Sequence, residues 1–254
     1  MKGKRHGKKL SFAYRDRDYR TLQRSGLVSS FVRMAETDLH ILAPVRVEND
    51  ALHLVSELRL QIEQYIRKYP DFIDSLTPLP QDPSAPPVVR EMLSAGRKAG
   101  VGPMAAVAGA IAECVGLGLR DRGIEEIIVE NGGDIFLARN RQCTVAVFAG
   151  ESLLSNTIGI VIEADRMPCG VCCSSGSVGH SLSFGNADAV VVVAASTSLA
   201  DAAATRIGNE VTKKPDALKR ALDKSMDIDE IEGVLIVQGE RLGAWGAIEL
   251  QRLK

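Results

Sequence analysis

The chain has 254 residues, 45% of them hydrophobic and 25% charged, with a formal net charge of -1. That length supports one large domain or two fused halves around a proper core. The near-neutral balance gives no global field for nucleic acid or an anionic membrane surface, and an aromatic content of 4% leaves few platforms on which bases could stack.

Residues 1–25 are polar and rich in Lys and Arg, with Asp16 and Asp18 interleaved. They are expected to form a solvated basic arm ahead of a single domain over residues 26–254. No apolar h-region follows the basic start, so no signal peptide is expected, and no stretch approaches the roughly 18 apolar residues of a membrane span. The expected address is the cytoplasm, where the five cysteines would be reduced thiols.

From Leu27 onward, alternation around Val32, Met34, Leu39 and Ile41 predicts strand. Over residues 50–69, Leu52, Val55, Leu58, Ile62, Tyr65 and Ile66 recur at three- and four-residue steps, which predicts an amphipathic helix. The proline-rich run TPLPQDPSAPP, residues 77–87, breaks regular structure and is expected to link two halves. Helices follow over 87–98, with Pro87 in the first turn, and over 103–122. In the second of these, Gly109, Gly116 and Gly118 predict close packing, because glycine inside a helix otherwise costs about 1 kcal/mol.

Short strands come next: IEEIIVE, GDIFLAR, CTVAVFA and NTIGIVIEA, then the apolar run ADAVVVVAAS. A helix is expected over 198–211, with Ser198 as N-cap and Asp201 in its first turn. A further short helix lies near 215–223, and GVLIVQG with GAWGAIELQ reads as a closing hairpin. Helices laid over runs of sequential strands imply an α+β architecture of two layers, helices on largely antiparallel sheet.

Three segments could carry chemistry. Glu130-Asn131-Gly132-Gly133-Asp134 has the form of a type I′ hairpin turn. Its glycines and flanking carboxylates also suit a ligand with phosphate and polar ring edges. The second segment holds Cys169, Cys172 and Cys173, followed by Ser174, Ser175, Gly176 and then His180. Structural zinc normally needs four ligands, and no second paired-cysteine element exists, so the thiols are expected to be small packed side chains. The hydroxyls and open amides are the better phosphate contacts, and His180 is either a satisfied polar contact or an acid–base group. In the third segment Asp201 and Thr205 stand four residues apart on one helical face. They could present a carboxylate and a hydroxyl to a hard cation, or the Asp could simply answer a helix dipole.

In order, the segments ENGGD at 130–134, CSSG at 173–176 and LADAAAT at 199–205 resemble the signature of the ApbE family. The likeness runs over about residues 102 to 211. The chain looks closest to a short branch carrying ETDL at 36–39 and SSGSVGHS at 174–181. ApbE proteins bind FAD and, with magnesium, transfer FMN to a threonine of an acceptor protein and release AMP; some members instead hydrolyse FAD to FMN and AMP. The resemblance implies a duplicated tunnelling-fold architecture. It implies Asp201 and Thr205 as metal ligands with a carbonyl from residues 102–105; Asp201 and the nearby His180 are the expected catalytic groups. Asn131, Gly132, Gly133 and Asp134 would line the flavin or pyrophosphate cleft, and Ser174, Ser175 and Gly176 would contact the nucleotide. The partners implied are a flavin nucleotide and an acceptor protein, with no nucleic acid and no membrane, and a homodimer is compatible with the short strands and basic arm.

Two departures from the family pattern stand out. The family's Lys-Gly opening of the helix near 103 reads Val101-Gly102-Pro103-Met104 here, and its His-Ile-x-x-Pro segment is absent. These departures motivate a second expectation, a non-catalytic flavin or nucleotide carrier. The tunnelling fold motivates a third, a purine or pterin binder in which Glu130 or Asp134 reads the ring edge.

Overall fold

A computed structural model describes residues 26–175, 185–214 and 216–253. The basic arm expected over 1–25, together with Gly176 and His180, lies outside the described residues. Strands β1 (Val28–Met34) and β2 (Thr37–Ala43) form an antiparallel hairpin where alternation predicted strand. Helix α1 (Glu48–Lys68) buries Ala51, Val55 and Ile62, whereas Leu52 of the expected apolar face is 40% exposed. A short turn of helix, α2 (Asp71–Asp74), precedes α3 (Pro87–Ala99), which starts on Pro87 and ends on Gly100 at φ +73°. A left-handed residue at that position is reached without strain only by glycine.

The proline-rich run, expected to link two halves, lies between α2 and α3 within the helical layer. Residues on both sides of it, among them Phe72 and Val88, belong to one core. A 3-10 turn, Pro103–Ala106, leads into α4 (Val107–Arg120). The stretch 103–120 is long and apolar enough, by length and composition, to cross a membrane, with mean hydropathy 1.3 over its window. In this fold it is a core helix, with Ala110, Ile111, Ala112, Val115 and Leu119 buried.

Strands β3 (Ile127–Asn131), β4 (Asp134–Ala138), β5 (Cys143–Ala146) and β6 (Ile158–Ile162) follow. The cysteine-rich segment is mostly strand: β7 (Cys169–Ser174) is hydrogen-bonded between β4 and β8 (Ala189–Ala194). The remaining elements are α5 (Thr197–Glu210), α6 (Ala217–Ser225), β9 (Ile231–Gln238), β10 (Arg241–Gly246) and β11 (Glu249–Arg252). The expected closing hairpin is present as β9–β10, but the chain leaves it at Gly246, where φ is +76° and a Cβ would lie 2.3 Å from the Glu232 carbonyl oxygen. Beyond that bend β11 pairs with β6 instead.

The architecture is α+β with antiparallel sheet, as the sequence predicts. Eight strands are ordered β1-β2-β3-β4-β7-β8-β9-β10, every neighbouring pair antiparallel. Each half of the sheet repeats one plan, in which two strands, a helical excursion and two more strands pair in sequence. A three-stranded sheet, β11-β6-β5, adds a smaller layer to the two expected.

Period-two alternation assigns the faces. Phe136 of β4, Cys172 of β7, Val190 and Val192 of β8, and Val234 and Ile236 of β9 join the core under the helices. Leu137, Val171, Val191, Val193, Leu235 and Val237 join a second core with Ile160 and Ile162 of β6. Strands buried on both faces read as continuous apolar runs, which is why VVVV at 190–193 carries no alternation.

Small residues set how closely helices meet strands. A Cβ on Gly116 would stand 2.2 Å from the Phe136 ring, and one on Gly170 of β7 would stand 2.4 Å from the Thr197 Cα at the start of α5. The second obstacle is backbone, so the strand and helix must separate to admit a methyl group. Gly170→Ala is therefore expected to cost about 1–3 kcal/mol by overpacking, read as a lower urea midpoint at unchanged slope; a midpoint equal to the unsubstituted protein's would contradict this packing.

Candidate functional site

The site forms where α4 and α5 meet the ends of β3, β4 and β7. The β3–β4 connection is a two-residue turn in which Gly132 and Gly133 have φ of +71° and +108°, between the paired residues Asn131 and Asp134. Two positive φ values make it the type I′ turn expected from Asn-Gly-Gly. Glu130 Oε1 accepts a hydrogen bond from the Gly133 amide at 2.9 Å, and Asn131 Nδ2 donates to the Ala108 carbonyl at 3.0 Å. The turn is thereby tied to the N-terminus of α4.

Asp201 is buried on α5, in its second turn rather than its first. It does answer a helix dipole, but that of α4: Oδ2 accepts from the Gly109 amide at 2.8 Å, and the Ala108 amide also bonds this carboxyl. The first amides of a helix have no partner within it, so a carboxylate there satisfies orphan donors and meets the positive end of the dipole. Gly109 makes the approach possible, since a Cβ on it would lie 2.5 Å from the Thr197 carbonyl oxygen and 2.8 Å from Asp201 Cβ.

The contact is reciprocal. Glu113 of α4 accepts from the Ser198 amide and hydroxyl, each at 3.0 Å, and from the Ser196 hydroxyl at 3.4 Å. Ser196, not Ser198, is the N-cap, its Oγ accepting from Leu199 N. Each helix thus places a carboxyl on the other's first turn, Asp201 buried and Glu113 half-buried. The role of Glu113 escapes a sequence reading, because a lone Glu in an Ala/Gly-rich helix carries no spacing signal. Burial raises its pKa.

Asp134, first residue of β4, lies opposite Cys172 of β7 and is 6% exposed. Its carboxyl is bonded by the Cys172 thiol and the Cys173 amide, while Oδ1 is buried and has no hydrogen-bond partner among the described residues. Burial, and then the charges of Asp201 and Glu130, drive its pKa well above the ordinary range. Burial likewise lifts Asp201 to about 7, against the lowering effect of the Gly109 and Ala108 amides. The Cys172 thiol also donates to the Thr197 carbonyl at 3.4 Å. The five cysteines are free, with Cys169 and Cys173 pushed up to about 12 by burial. They are packed thiols, as expected.

Of the residues singled out in the sequence, the fold brings Asn131, Gly132, Gly133, Asp134 and Asp201 together. Ser174 ends β7 beside them, and its buried Oγ has no partner among the described residues. Ser175 follows it, half-buried. Thr205 is half-buried one turn beyond Asp201 on α5. At the same end of the sheet an open cavity of about 360 Å³ is lined by Asn186, Asp188, Lys213, Gln238 and Gly239, among others. Among the described residues no group of three or more His, Cys, Asp or Glu side chains is arranged to hold a metal ion. A cation here would draw on two carboxyls, completed by hydroxyls, carbonyls and substrate oxygens, which is chemistry that a hard divalent ion accepts. The orphaned Asp134 Oδ1 beside a second carboxyl fits such an ion.

A family model described as "AbpE bacteria" matches residues 20–238. The chain belongs to that family. It is similar to a "UPF0280 protein" of Methanococcus aeolicus, 43% identical over 230 residues that cover 87% of this chain and 91% of that one. A second "UPF0280 protein", from Methanothermobacter thermautotrophicus, is 45% identical over 193 residues and 75% of each chain. Among solved structures, the flavin transferase ApbE from Vibrio cholerae superposes with a TM-score of 0.51 at 14% identity, covering 86% of this chain and 96% of that one. At that identity the superposition establishes the shared fold of this ApbE-like member.

The raised Asp201 pKa fixes a pH dependence. Below about pH 4 the carboxyl is protonated in both the folded and unfolded states. Between the ordinary value of 3.8 and about 7 the folded state holds a proton that the unfolded chain has released, so stability falls as pH rises. Metal-free protein is expected to lose melting temperature across that window, and Asp201→Asn to flatten the slope; identical slopes in both proteins would refute the assignment.

Proposed function

We propose that this ApbE-like protein binds FAD with a divalent cation, Mg2+, held at Asp201 and Thr205 beside the glycine turn, and opens the pyrophosphate to release AMP. FMN would pass either to a threonine of an acceptor protein or to water. The observation that carries this reading is the pair of buried carboxyls at the glycine turn, with one oxygen unpartnered. Buried acids so placed are costly unless a proton or a cation compensates them. The family resemblance supports a flavin nucleotide as the ligand class, and the Vibrio cholerae protein that shares the fold is a flavin transferase.

Asp201 and Thr205, one helical turn apart, would hold the cation together with a carbonyl of residues 102–105. That stretch runs into the 3-10 turn packed against α5. When bound, the cation neutralises charge that develops on the phosphate oxygens as the leaving AMP departs. Gly132 and Gly133 let the substrate approach the main chain with no side chain between. The Glu130 hydrogen bond to Gly133 and the Asn131 bond to Ala108 keep that turn rigid against α4, so the phosphates meet a prepared surface. The Ser174 hydroxyl, with Ser175 beyond it, offers polar contacts to the nucleotide. The cavity at Asn186 and Gln238 gives the far end of a dinucleotide room beside β7. Gly176 and His180 follow Ser175 in sequence; the resemblance makes Gly176 a nucleotide contact, and His180 is the candidate acid–base group.

The carrier reading draws support from the same geometry, since Asp201 is already engaged by the α4 amides. One titration separates the two. Metal-stripped protein is mixed with FAD, with and without MgCl2, and AMP is followed. Magnesium-dependent AMP that disappears in a folded Asp201→Ala variant is the expected result. Stoichiometric FAD binding with no AMP on prolonged incubation would make the protein a carrier, and stabilisation by folate-like pterins in place of FAD would move the reading to a pterin binder.

A further inference from the structure

We infer that Asp134 is a second carboxylate ligand to the cation proposed at Asp201, so that the ion bridges β4 to α5 and binds before any nucleotide arrives. The inference rests on the cation reading above and extends it to a residue on a different element.

The argument begins with the strand register. Asp134 lies on the same face of β4 as Phe136, by alternation, and Phe136 is packed in the core beneath the helices. The Asp134 carboxyl therefore enters the interlayer space that Asp201 enters from α5. α5 packs against β4, and Asp201 is second only to burial among the influences on Asp134. The partners of Asp134 occupy one side of it: the Cys172 thiol and the Cys173 amide, both from β7. Oδ1 is left buried without a partner among the described residues. A native protein rarely leaves a buried carboxylate oxygen empty.

Alternative compensators are poor. Among the described residues, no Lys or Arg figures among the influences on Asp134 or Asp201, whose own surroundings are burial, backbone amides, a thiol and other acids. The Cys172 thiol is shared with the Thr197 carbonyl. A small hard cation supplies the missing charge and prefers oxygen ligands, and the unpartnered Thr197 Oγ1, buried on the first residue of α5, adds a neutral oxygen to the same end of that helix.

The bridge also has a mechanical consequence. Asp201 already ties α5 to the N-terminus of α4. With Asp134 as co-ligand, the ion joins the glycine turn to that crossing, and metal occupancy stiffens the turn that the substrate meets.

The test uses metal alone as the probe. Mn2+ binding to the full chain is measured by electron paramagnetic resonance, with Mg2+ as competitor and no flavin present, and melting temperatures are taken in EDTA and in MgCl2. The unsubstituted chain is expected to bind one Mn2+ displaceable by Mg2+, and to melt higher with MgCl2. Asp134→Asn is expected to bind roughly tenfold more weakly or worse and to lose the Mg2+ shift. A merely structural Asp134 would leave the Mn2+ affinity of a folded variant unchanged. Should Asn at 134 fail to fold, Asp134→Ser removes the same charge and is scored identically. Unchanged Mn2+ affinity in either folded variant, with Asp201→Asn abolishing it, would overturn the inference and leave the cation at Asp201. No metal binding to the unsubstituted chain without nucleotide would also overturn it, while magnesium-dependent AMP release from FAD would still stand as a separate result.

Discussion

The structure depends on an exchange of carboxyls, one buried and one half-buried, between two crossing helices. Asp201 of α5 accepts from the first amides of α4, and Glu113 of α4 accepts from the amide and hydroxyls that open α5. Each acid satisfies donors that its partner helix cannot satisfy internally, and each sits at the positive end of a dipole. Burial opposes both, which is why both pKa values rise. The arrangement is possible only at close range. Gly109 at the crossing and Gly170 beneath it remove the side chains that would hold the backbones apart.

Everything at the candidate site is referenced to that crossing. The glycine turn reaches it through Asn131 and the Ala108 carbonyl, and β7 reaches it through the Cys172 thiol and the Thr197 carbonyl. The eight-stranded sheet brings β4 and β7 side by side, so Asp134 meets Cys172 although 38 positions separate them in the chain. Acids that would repel one another in isolation are held together by packing that they do not themselves supply. Such concentrations of perturbed groups are characteristic of functional sites.

The repeated plan explains why the site lies where it does. Two four-strand units pair edge to edge through β4 and β7, and each lays its helices on the same face of the joined sheet. The seam places the end of one unit's last hairpin beside the end of the other unit's first strand. A site assembled there takes residues from both units, and a ligand lying along it touches strands distant in sequence. The three-stranded sheet closes the opposite face, which makes the middle strands continuous apolar runs.

Much of this was legible in the sequence, because it is local. Period 3.6 gave α1, the proline at 87 gave the start of α3, and Asn-Gly-Gly gave a type I′ turn with its two positive φ values. The spacing of Asp201 and Thr205 gave one helical face, and the order of three small motifs gave the family. What the sequence could not show required contact between distant segments. Cys169–Ser174 is strand because β4 and β8 pair with it on both sides, a fact absent from its Gly-, Cys- and Ser-rich composition. Leu52 matches the apolar period yet faces outward, because the helix contacts the core along a narrower stripe. The helix that Asp201 caps is α4 rather than its own, and Glu113 and Asp134 acquire their roles only when the helices cross over the sheet. Backbone preference is written in a few neighbouring residues, whereas the surroundings of a buried charge are set by whatever the whole chain folds against it.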